Sequence, residues 1–228
     1  MIRSVNVIIN DRTYLKDPMS SELGRKIISQ SIELIHELGF DEFTFRKLGQ
    51  RINSPEASVY RYFESKHKLL LYLTSWYWAW MEYRIVFATV NVESPIDRLN
   101  RVIDVLTQRI QNDENFSHID EVKLQVIVTS ESSKAYLTKQ VDEENKEGMF
   151  AAYKELVGRV SNFISDVNPS YPYPQMFTSS LIEMIHHQRF FADHLPRLTN
   201  VIVGEDSVKN FCKDLVYNSV IKPVENGK

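Results

Sequence analysis

The residues best suited to chemistry lie in one short segment, NSPEASVYRYFESKHKLL, at positions 53–70. Arg61 carries a guanidinium group that can bond a guanine through two hydrogen bonds, and Glu56 carries a carboxylate that can accept one from a cytosine amino group. Lys66 is a cation at the start of a predicted helix, where free backbone N–H groups favour a phosphate. These residue types predict a contact with nucleic acid.

Helical spacing divides the first half of this segment into two faces. Val59, Tyr62 and Phe63 recur at i, i+3 and i+4, so they are predicted to face inward, with the Tyr62 hydroxyl free for a phosphate. The opposite face is small and polar apart from one long cation, so its backbone can approach a groove closely. This outer face consists of Ser54, Ala57, Ser58 and Arg61.

Two earlier helices and a turn are predicted to position this face. The first helix runs over about 21–38, with Gly39 as its stop signal. The second runs over 44–51, with Thr44 as its N-cap and a buried stripe at i, i+3 and i+7. Asn53 then lies where the chain must turn, because Asn tolerates the left-handed conformation better than most residues.

The segment itself is predicted to contain one helix and the start of another. Ser54 and Pro55 provide an N-cap and a first helical residue, and this helix ends near Phe63. Ser65 caps the next helix, which continues to about Val90. Two helices joined by a tight turn, the second one short, form a helix-turn-helix.

In this arrangement the sequence resembles the DNA-binding domain of the TetR family of bacterial transcriptional regulators. The shared features are a Gly-aromatic pair, a Thr that opens the second helix, an aromatic-x-Tyr-Phe ending of the recognition helix, and a Lys followed by a Leu pair. The resemblance covers about residues 24–70. Its residues are Gly39, Phe40, Thr44, Tyr60, Arg61, Tyr62, Phe63, Lys66, Leu69 and Leu70.

The resemblance implies an all-α protein, with a three-helix DNA-binding domain followed by a helical domain for ligand binding and dimerisation. It implies a non-enzymatic regulator, most often a repressor, that binds near-palindromic operators as a homodimer and is released by a small-molecule effector. The residues implied to hold phosphates are Thr44, Tyr60, Tyr62 and Lys66. Those implied to face base edges are Glu56, Ala57, Ser58 and Arg61, and Ser54 joins them on the outer face.

The sequence also departs from the family pattern. Asn53 replaces the usual turn Gly, Glu56 stands where a Lys is common, and Ala57 stands where a Gly is common, so the operator sequence cannot be transferred. The segment before Ser21 is longer than the family usually shows. It is either a basic-tipped arm or a segment packed on the domain, and the apolar run VNVII at 5–9, also a possible short strand, favours packing.

The rest of the chain is predicted to be helical. We expect a DNA-binding domain over 1–68 that includes the N-terminal extension, and an effector-binding and dimerisation domain over 69–228. The predicted helices of the second domain cover 94–111, 119–131, 133–142, 144–167, 175–194 and 205–221, with a linker at 168–174. The resemblance implies that the last two helices form the dimer interface.

An aromatic stripe in the helix from Ser65 suggests a ligand site. Its rings recur at i, i+4, i+7 and i+11, which is typical of a core stripe and also of one wall of an apolar pocket. The candidate effector-binding residues are Trp76, Trp80, Tyr83 and Phe87, with His186, His187 and Arg189 as polar contacts. No cofactor is expected.

Composition limits the remaining classes of protein. The 228 residues carry a net charge of −3, divided into +2 over 1–70 and −5 over 71–228, which is consistent with only the N-terminal part approaching phosphates. The single Cys212 cannot form an internal disulfide, and the N-terminus does not resemble a secretory signal, so we expect a cytoplasmic protein. The uncharged run at 69–81 is only 13 residues long, too short for a membrane span.

Two alternatives stay open at this point. A Glu-x-x-His pattern occurs at Glu33/His36, Glu64/His67 and Glu183/His186, and two such pairs with two further Glu residues can build a di-metal enzyme. The Ser65 cap interrupts the middle pair, which leaves too few pairs on buried faces, so we expect no metal. The second alternative is a dimeric scaffold whose DNA-binding fold is idle.

Overall fold

The computed structural model of the protein describes residues 7, 9–112 and 118–222. Over these residues the chain is helical and contains no strand, so the predicted all-α class is confirmed; the predicted strand at 5–9 lies largely outside the described residues. The α-helices are α1 (Glu22–Glu42), α2 (Phe45–Ile52), α3 (Glu56–Tyr60), α4 (Lys66–Thr89), α5 (Pro95–Thr107), α6 (Glu121–Glu131), α7 (Ser133–Tyr136), α8 (Val141–Lys146), α9 (Ala151–Val167), α10 (Pro174–His194) and α11 (Ser207–Val216). Short 3₁₀ helices lie at Asp11–Thr13, Pro18–Ser20 and Pro196–Leu198, and a π-helical turn lies at Tyr217–Ile221.

The chain forms two compact units. One contains Met1–Trp80 and Ile110–Tyr153, and the other contains Met81–Arg109 and Lys154–Lys228, so helix α4 contributes residues to both. The predicted functional division between residues 68 and 69 stays a prediction, because compactness does not reveal which residues bind DNA or effector.

Helix α1 begins where the sequence predicts, and its regular part ends at Gly39, the predicted stop. The Ser21 hydroxyl caps it by accepting from the Gly24 amide at 3.1 Å. The regular helix is interrupted at Gly39, whose φ of 77° is a left-handed value that glycine adopts readily, and one more turn follows to Glu42. The face of α1 with Ile28, Ile32 and Ile35 is buried, as its spacing predicts.

The turn between α2 and α3 also follows local sequence signals. Thr44 caps α2 by accepting from the Lys47 amide at 3.2 Å, and Asn53 adopts the left-handed conformation with φ 54° and ψ 48°. The predicted Ser54 cap is wrong by one position: α3 begins at Glu56, and the N-cap residue is Pro55. The reason is that Pro55 takes a ψ of 143°, outside the helical range, so it cannot be the first helical residue that the sequence predicts.

Helix α4 begins and ends close to the positions that the sequence predicts. Ser65 caps the helix by accepting from the Lys68 amide at 3.2 Å, and the helix ends at Thr89, shortly before Asn91 turns the chain with φ 62°. One earlier boundary differs from the prediction, because α3 ends at Tyr60 and not near Phe63. The single helix predicted over 144–167 is likewise wrong, since Gly148 takes a φ of 77° and separates α8 from α9.

In the first unit, α1 packs against α6 as well as against α2. Lys123 on α6 forms an ion pair with Glu33 on α1 at 2.6 Å, and the Glu131 carboxylate accepts from the Phe40 amide at 3.2 Å. The helix-turn-helix is therefore packed against α6 and is held to it by polar contacts.

The second unit has its own apolar core. Helix α11 packs against α5 and α10, with Val208, Cys212 and Val216 buried along one side. Burial raises the pKa of the Cys212 thiol to about 11, which is typical of a structural cysteine. Within the described residues, no helix is long and apolar enough to cross a membrane.

Candidate nucleic-acid interface

At the recognition helix α3 and just beyond it, the residues predicted to face inward are buried, and two of those predicted to face outward are exposed. Val59 and Phe63 are fully buried and Tyr62 is nearly so, whereas Ala57 and Arg61 are exposed. An exposed small residue next to an exposed Arg allows close approach to a groove and a bidentate contact with a base.

Ser58 is a correction to the predicted outer face. It is only 7% exposed in the structure. Its hydroxyl accepts from Arg61 Nη2 at 3.3 Å. In this geometry Ser58 orients the guanidinium group, and a contact between Ser58 and a base edge stays a prediction.

Two of the residues predicted to hold phosphates are exposed. Thr44 lies at the N-terminus of α2, where the helix dipole favours an anion. Tyr60 is 48% exposed, and its ring packs edge-on against Phe45 with the centroids 5.0 Å apart, so the phenol is held at the surface of the domain. Glu56 and Ser54 are partly exposed beside it.

Tyr62 does not have the free hydroxyl that the sequence suggested. Its hydroxyl lies 2.8 Å from that of Ser21 in a hydrogen bond. This bond, and the nearby cations Lys16 and Arg61, lower the pKa of the Tyr62 phenol. The same hydroxyl can still make one further hydrogen bond, so contact with a phosphate stays a prediction.

Lys66 is likewise engaged within the protein. Its Nζ donates to the carbonyl oxygens of Phe40 and Asp41 at 3.0 Å and to that of Phe43 at 3.2 Å. An ammonium group has three donors, and these three carbonyl oxygens engage all of them. A phosphate contact from its side chain stays a prediction, and it has to compete with these carbonyl groups.

The structure adds two residues that sequence reasoning missed. An open cleft of about 330 Å³ between α2 and α3 is lined by Arg46 and Gln50 on one side and by Glu56 on the other. Arg46 and Gln50 are exposed. Their i, i+4 spacing, opposite the buried Phe45 and Leu48, was the signal that could have identified them.

The predicted effector-binding residues lie in both compact units. Trp76 and Trp80 are buried in the first, with their rings stacked at 6.0 Å between centroids. Tyr83 and Phe87 belong to the second, where Phe87 is 72% exposed. Their joint role in an effector site stays a prediction.

The polar members of that predicted site have their own contacts within the second unit. Burial, with His187 next to it, lowers the pKa of His186 to about 4, so this imidazole is neutral at pH 7. Arg189 donates to the Thr107 carbonyl and pairs with Asp206 at 2.7 Å. Arg189 therefore ties together α5, α10 and the start of α11.

Two residues of the Glu-x-x-His pairs contact charged side chains elsewhere in the first unit. Glu33 pairs with Lys123 at 2.6 Å, and His67 Nε2 lies 2.8 Å from the Glu144 carboxylate. No three His, Cys, Asp or Glu side chains in the described part of the chain lie together as a possible metal site.

Comparison with known proteins identifies the segment that contains α2 and α3. Residues 27–73 match the family model described as bacterial regulatory proteins, tetR family. No curated protein sequence matches the chain significantly.

Solved structures resemble the whole chain at low sequence identity. The structure of AibR in complex with isovaleryl coenzyme A and operator DNA has 13% identity and a TM-score of 0.57, with 87% of this chain and 100% of that chain covered. A putative transcriptional regulator from Saccharomonospora viridis in complex with choline has 15% identity and a TM-score of 0.61, covering 89% and 100%. The fatty acid degradation regulator FadR from Bacillus halodurans has 13% identity and a TM-score of 0.58, covering 88% and 95%.

At these identities the solved structures establish only the fold. The family model adds that residues 27–73 resemble the tetR family. Residues 27–73 therefore match the tetR family of bacterial regulatory proteins and contain the helix-turn-helix, in a chain that has the fold of TetR-type transcriptional regulators.

Proposed function

We propose that this chain is a cytoplasmic, homodimeric transcriptional repressor that leaves a near-palindromic operator when a small-molecule effector binds. It acts by binding and catalyses no reaction. The observation that carries the proposal is the tetR-family segment at 27–73, folded as a helix-turn-helix with Arg61 exposed at the end of its recognition helix.

The DNA-facing side is the best supported part. The exposed Thr44, Tyr60 and Arg61 lie on or next to α2 and α3, and Arg46 and Gln50 line the adjoining cleft. Phosphate contacts set the position of such a domain on the duplex, and base contacts select the sequence. In this arrangement Arg61 is the main base-reading residue.

We expect the protein to retard DNA from upstream of its own coding sequence in a gel shift. Binding should weaken steeply between about 50 and 200 mM salt, because each neutralised phosphate releases condensed counterions. A duplex of scrambled sequence provides the control for specificity. If the upstream fragment shows no salt-sensitive retardation, and selection from random DNA yields no bound sequence, the proposal is wrong.

Replacing Arg61 with Ala should remove sequence preference at one base pair of each half-site. The expected loss is about 1–3 kcal/mol of discrimination, because a bidentate contact with a guanine is lost while the phosphate contacts remain. The measurement is a competition assay with duplexes substituted one base pair at a time. Arg51, on the same helix-turn-helix but paired with Glu37, offers a matched control, since its replacement should leave base preference unchanged. Equal losses at every position for Arg61→Ala contradict its assignment to base reading.

Exposed apolar side chains support dimerisation through the last two helices. Phe190 and Met176 on α10, Phe211 on α11 and Tyr217 just beyond α11 are all substantially exposed. Helices α10 and α11 pack against each other, and exposed large apolar side chains on neighbouring helices favour an interaction site. Such a dimer would present two recognition helices to successive major grooves.

The proposed effector binding is supported by aromatic residues of α4. Trp76 and Trp80 are buried in the first unit with their rings stacked, on the helix α4 that begins next to the helix-turn-helix. A ligand that favours one arrangement of this helix changes operator affinity by the coupling free energy, typically about 1–3 kcal/mol between sites. AibR and the regulator from Saccharomonospora viridis have been solved with isovaleryl coenzyme A and with choline, which supports a ligand-responsive reading without naming the ligand of this chain.

A further inference from the structure

We propose that the N-terminal segment Asp11–Ser20 is part of the DNA-binding surface and that Lys16 contacts a backbone phosphate beside the recognition helix. The inference rests on the proposed function and assigns a role to residues that lie outside the matched family segment at 27–73.

The segment is fixed to the first unit at its N-terminal end. Asn10 Nδ2 donates to the Glu147 carbonyl at 2.9 Å, and the Asn10 side chain also accepts from the Arg12 amide at 2.8 Å. Thr13 is fully buried, and its hydroxyl donates to the Asn10 carbonyl at 2.7 Å. These contacts predict an ordered segment and not a loose arm.

The middle of the segment lies directly against the end of the recognition helix. The Leu15 amide donates to the Tyr62 carbonyl at 2.8 Å, and the Tyr14 ring packs edge-on against Tyr72 with the centroids 6.0 Å apart. Further along, Pro18 is buried so close to α1 that a side chain on Gly24 would meet the Pro18 carbonyl oxygen at 2.2 Å. The position of Lys16 between these anchors is therefore defined.

Lys16 is exposed, and its Nζ lies 5.1 Å from the centroid of the Tyr62 ring. Its acidic neighbour Asp17 is used elsewhere, since the Asp17 carboxylate accepts from the Met19 amide at 2.8 Å as the cap of the following 3₁₀ helix. Within the described ranges, Lys16 forms no ion pair with a carboxylate. Its ammonium group also interacts with the Tyr62 hydroxyl, and because it has three donors, those that do not face Tyr62 are available to an external anion.

The surroundings of Lys16 favour a phosphate over other anions. Arg61 is exposed one residue before Tyr62, so two cations lie around the phenol at the end of the helix that is proposed to enter the major groove. When a helix lies in that groove, the DNA backbones run along its sides, and lysines contact their phosphates as point charges. The N-terminal segment thus widens the phosphate-binding surface beyond the three-helix domain.

The test is the salt dependence of DNA binding by the full-length Lys16→Met variant. Methionine keeps an unbranched apolar stem over Tyr62 and removes the charge. We expect the slope of log affinity against log salt to become less negative by about 1 for each subunit bound, with a random-sequence duplex as well as with any selected operator. Lys16→Arg should keep the wild-type slope. Lys139→Met removes an exposed lysine that lies outside the helix-turn-helix and its N-terminal segment, so it provides the control for net charge.

The outcomes separate this inference from the proposed function. If the wild type binds DNA with a salt-dependent affinity and Lys16→Met has an unchanged slope, the inference is overturned while the proposed function stands. An equal change in slope for Lys16→Met and Lys139→Met also overturns it, because only net charge would then matter. If the wild type binds no DNA at all, both fail together.

Discussion

Replacing Phe63 with Ala is expected to lower the free energy of unfolding by about 3–5 kcal/mol, the usual cost of removing a fully buried aromatic side chain. Phe63 has no exposed surface, and its ring packs edge-on against Tyr72 with the centroids 5.5 Å apart. It lies between the end of α3 at Tyr60 and the start of α4 at Lys66, so the cavity would form beside Tyr72 on α4. The loss is measured by urea denaturation followed by far-ultraviolet circular dichroism.

The matched control is Phe87→Ala. Phe87 lies near the end of α4 and is 72% exposed, so its truncation should change stability by no more than about 0.5 kcal/mol. DNA affinity provides a second measurement, because Phe63→Ala should weaken binding only to the extent that the domain unfolds. A stability loss below about 1 kcal/mol for Phe63→Ala would show that this ring is not the core residue that its burial indicates.

Replacing Gly24 with Ala should destabilise the protein although it places a better helix former in α1. The new Cβ would lie 2.2 Å from the Pro18 carbonyl oxygen and 2.7 Å from the Pro18 Cα, so backbone atoms have to move. Overpacking of this kind costs about 1–3 kcal/mol. The same displacement should shift the segment that carries Lys16, so salt-dependent DNA binding should weaken as well.

Gly158→Ala provides the opposite control. Gly158 lies in the middle of α9, and a Cβ there would meet no atom within 4 Å. Alanine should therefore stabilise the protein by about 0.5–1 kcal/mol, the cost of a glycine within a helix. Thermal unfolding of the two variants under identical conditions should give shifts of opposite sign, and a stabilised Gly24→Ala protein contradicts the packing described for Pro18.

The helix-turn-helix was predictable because its signals are local. Thr44 and Ser65 cap helices through amides three residues away, and Asn53 turns the chain through its own backbone conformation. The buried faces of α1, α2 and α3 also follow from spacing within each helix. Interactions of this range depend on the neighbouring residues alone, so the sequence is enough to predict them.

Two predicted helix boundaries were wrong because the backbone conformation at one residue ended the helical pattern. Ser54 is a good N-cap residue by type, but Pro55 takes a ψ of 143°, outside the helical range, so α3 begins after Pro55. The apolar pattern over 144–167 continues through Gly148, where the left-handed backbone nevertheless ends the helix.

The sequence by itself determined the fold class, the helix-turn-helix and the orientation of its buried face, because caps, turns and helical spacing act over a few residues. The tertiary structure alone decided which polar groups are available to DNA. Lys66 donates to carbonyl groups more than 20 residues earlier, Tyr62 bonds to Ser21 on α1, and Lys16 reaches the Tyr62 ring from the N-terminal segment. The physical reason is that a side chain's hydrogen-bond partners come from whatever the fold places within about 3 Å, at any separation along the chain.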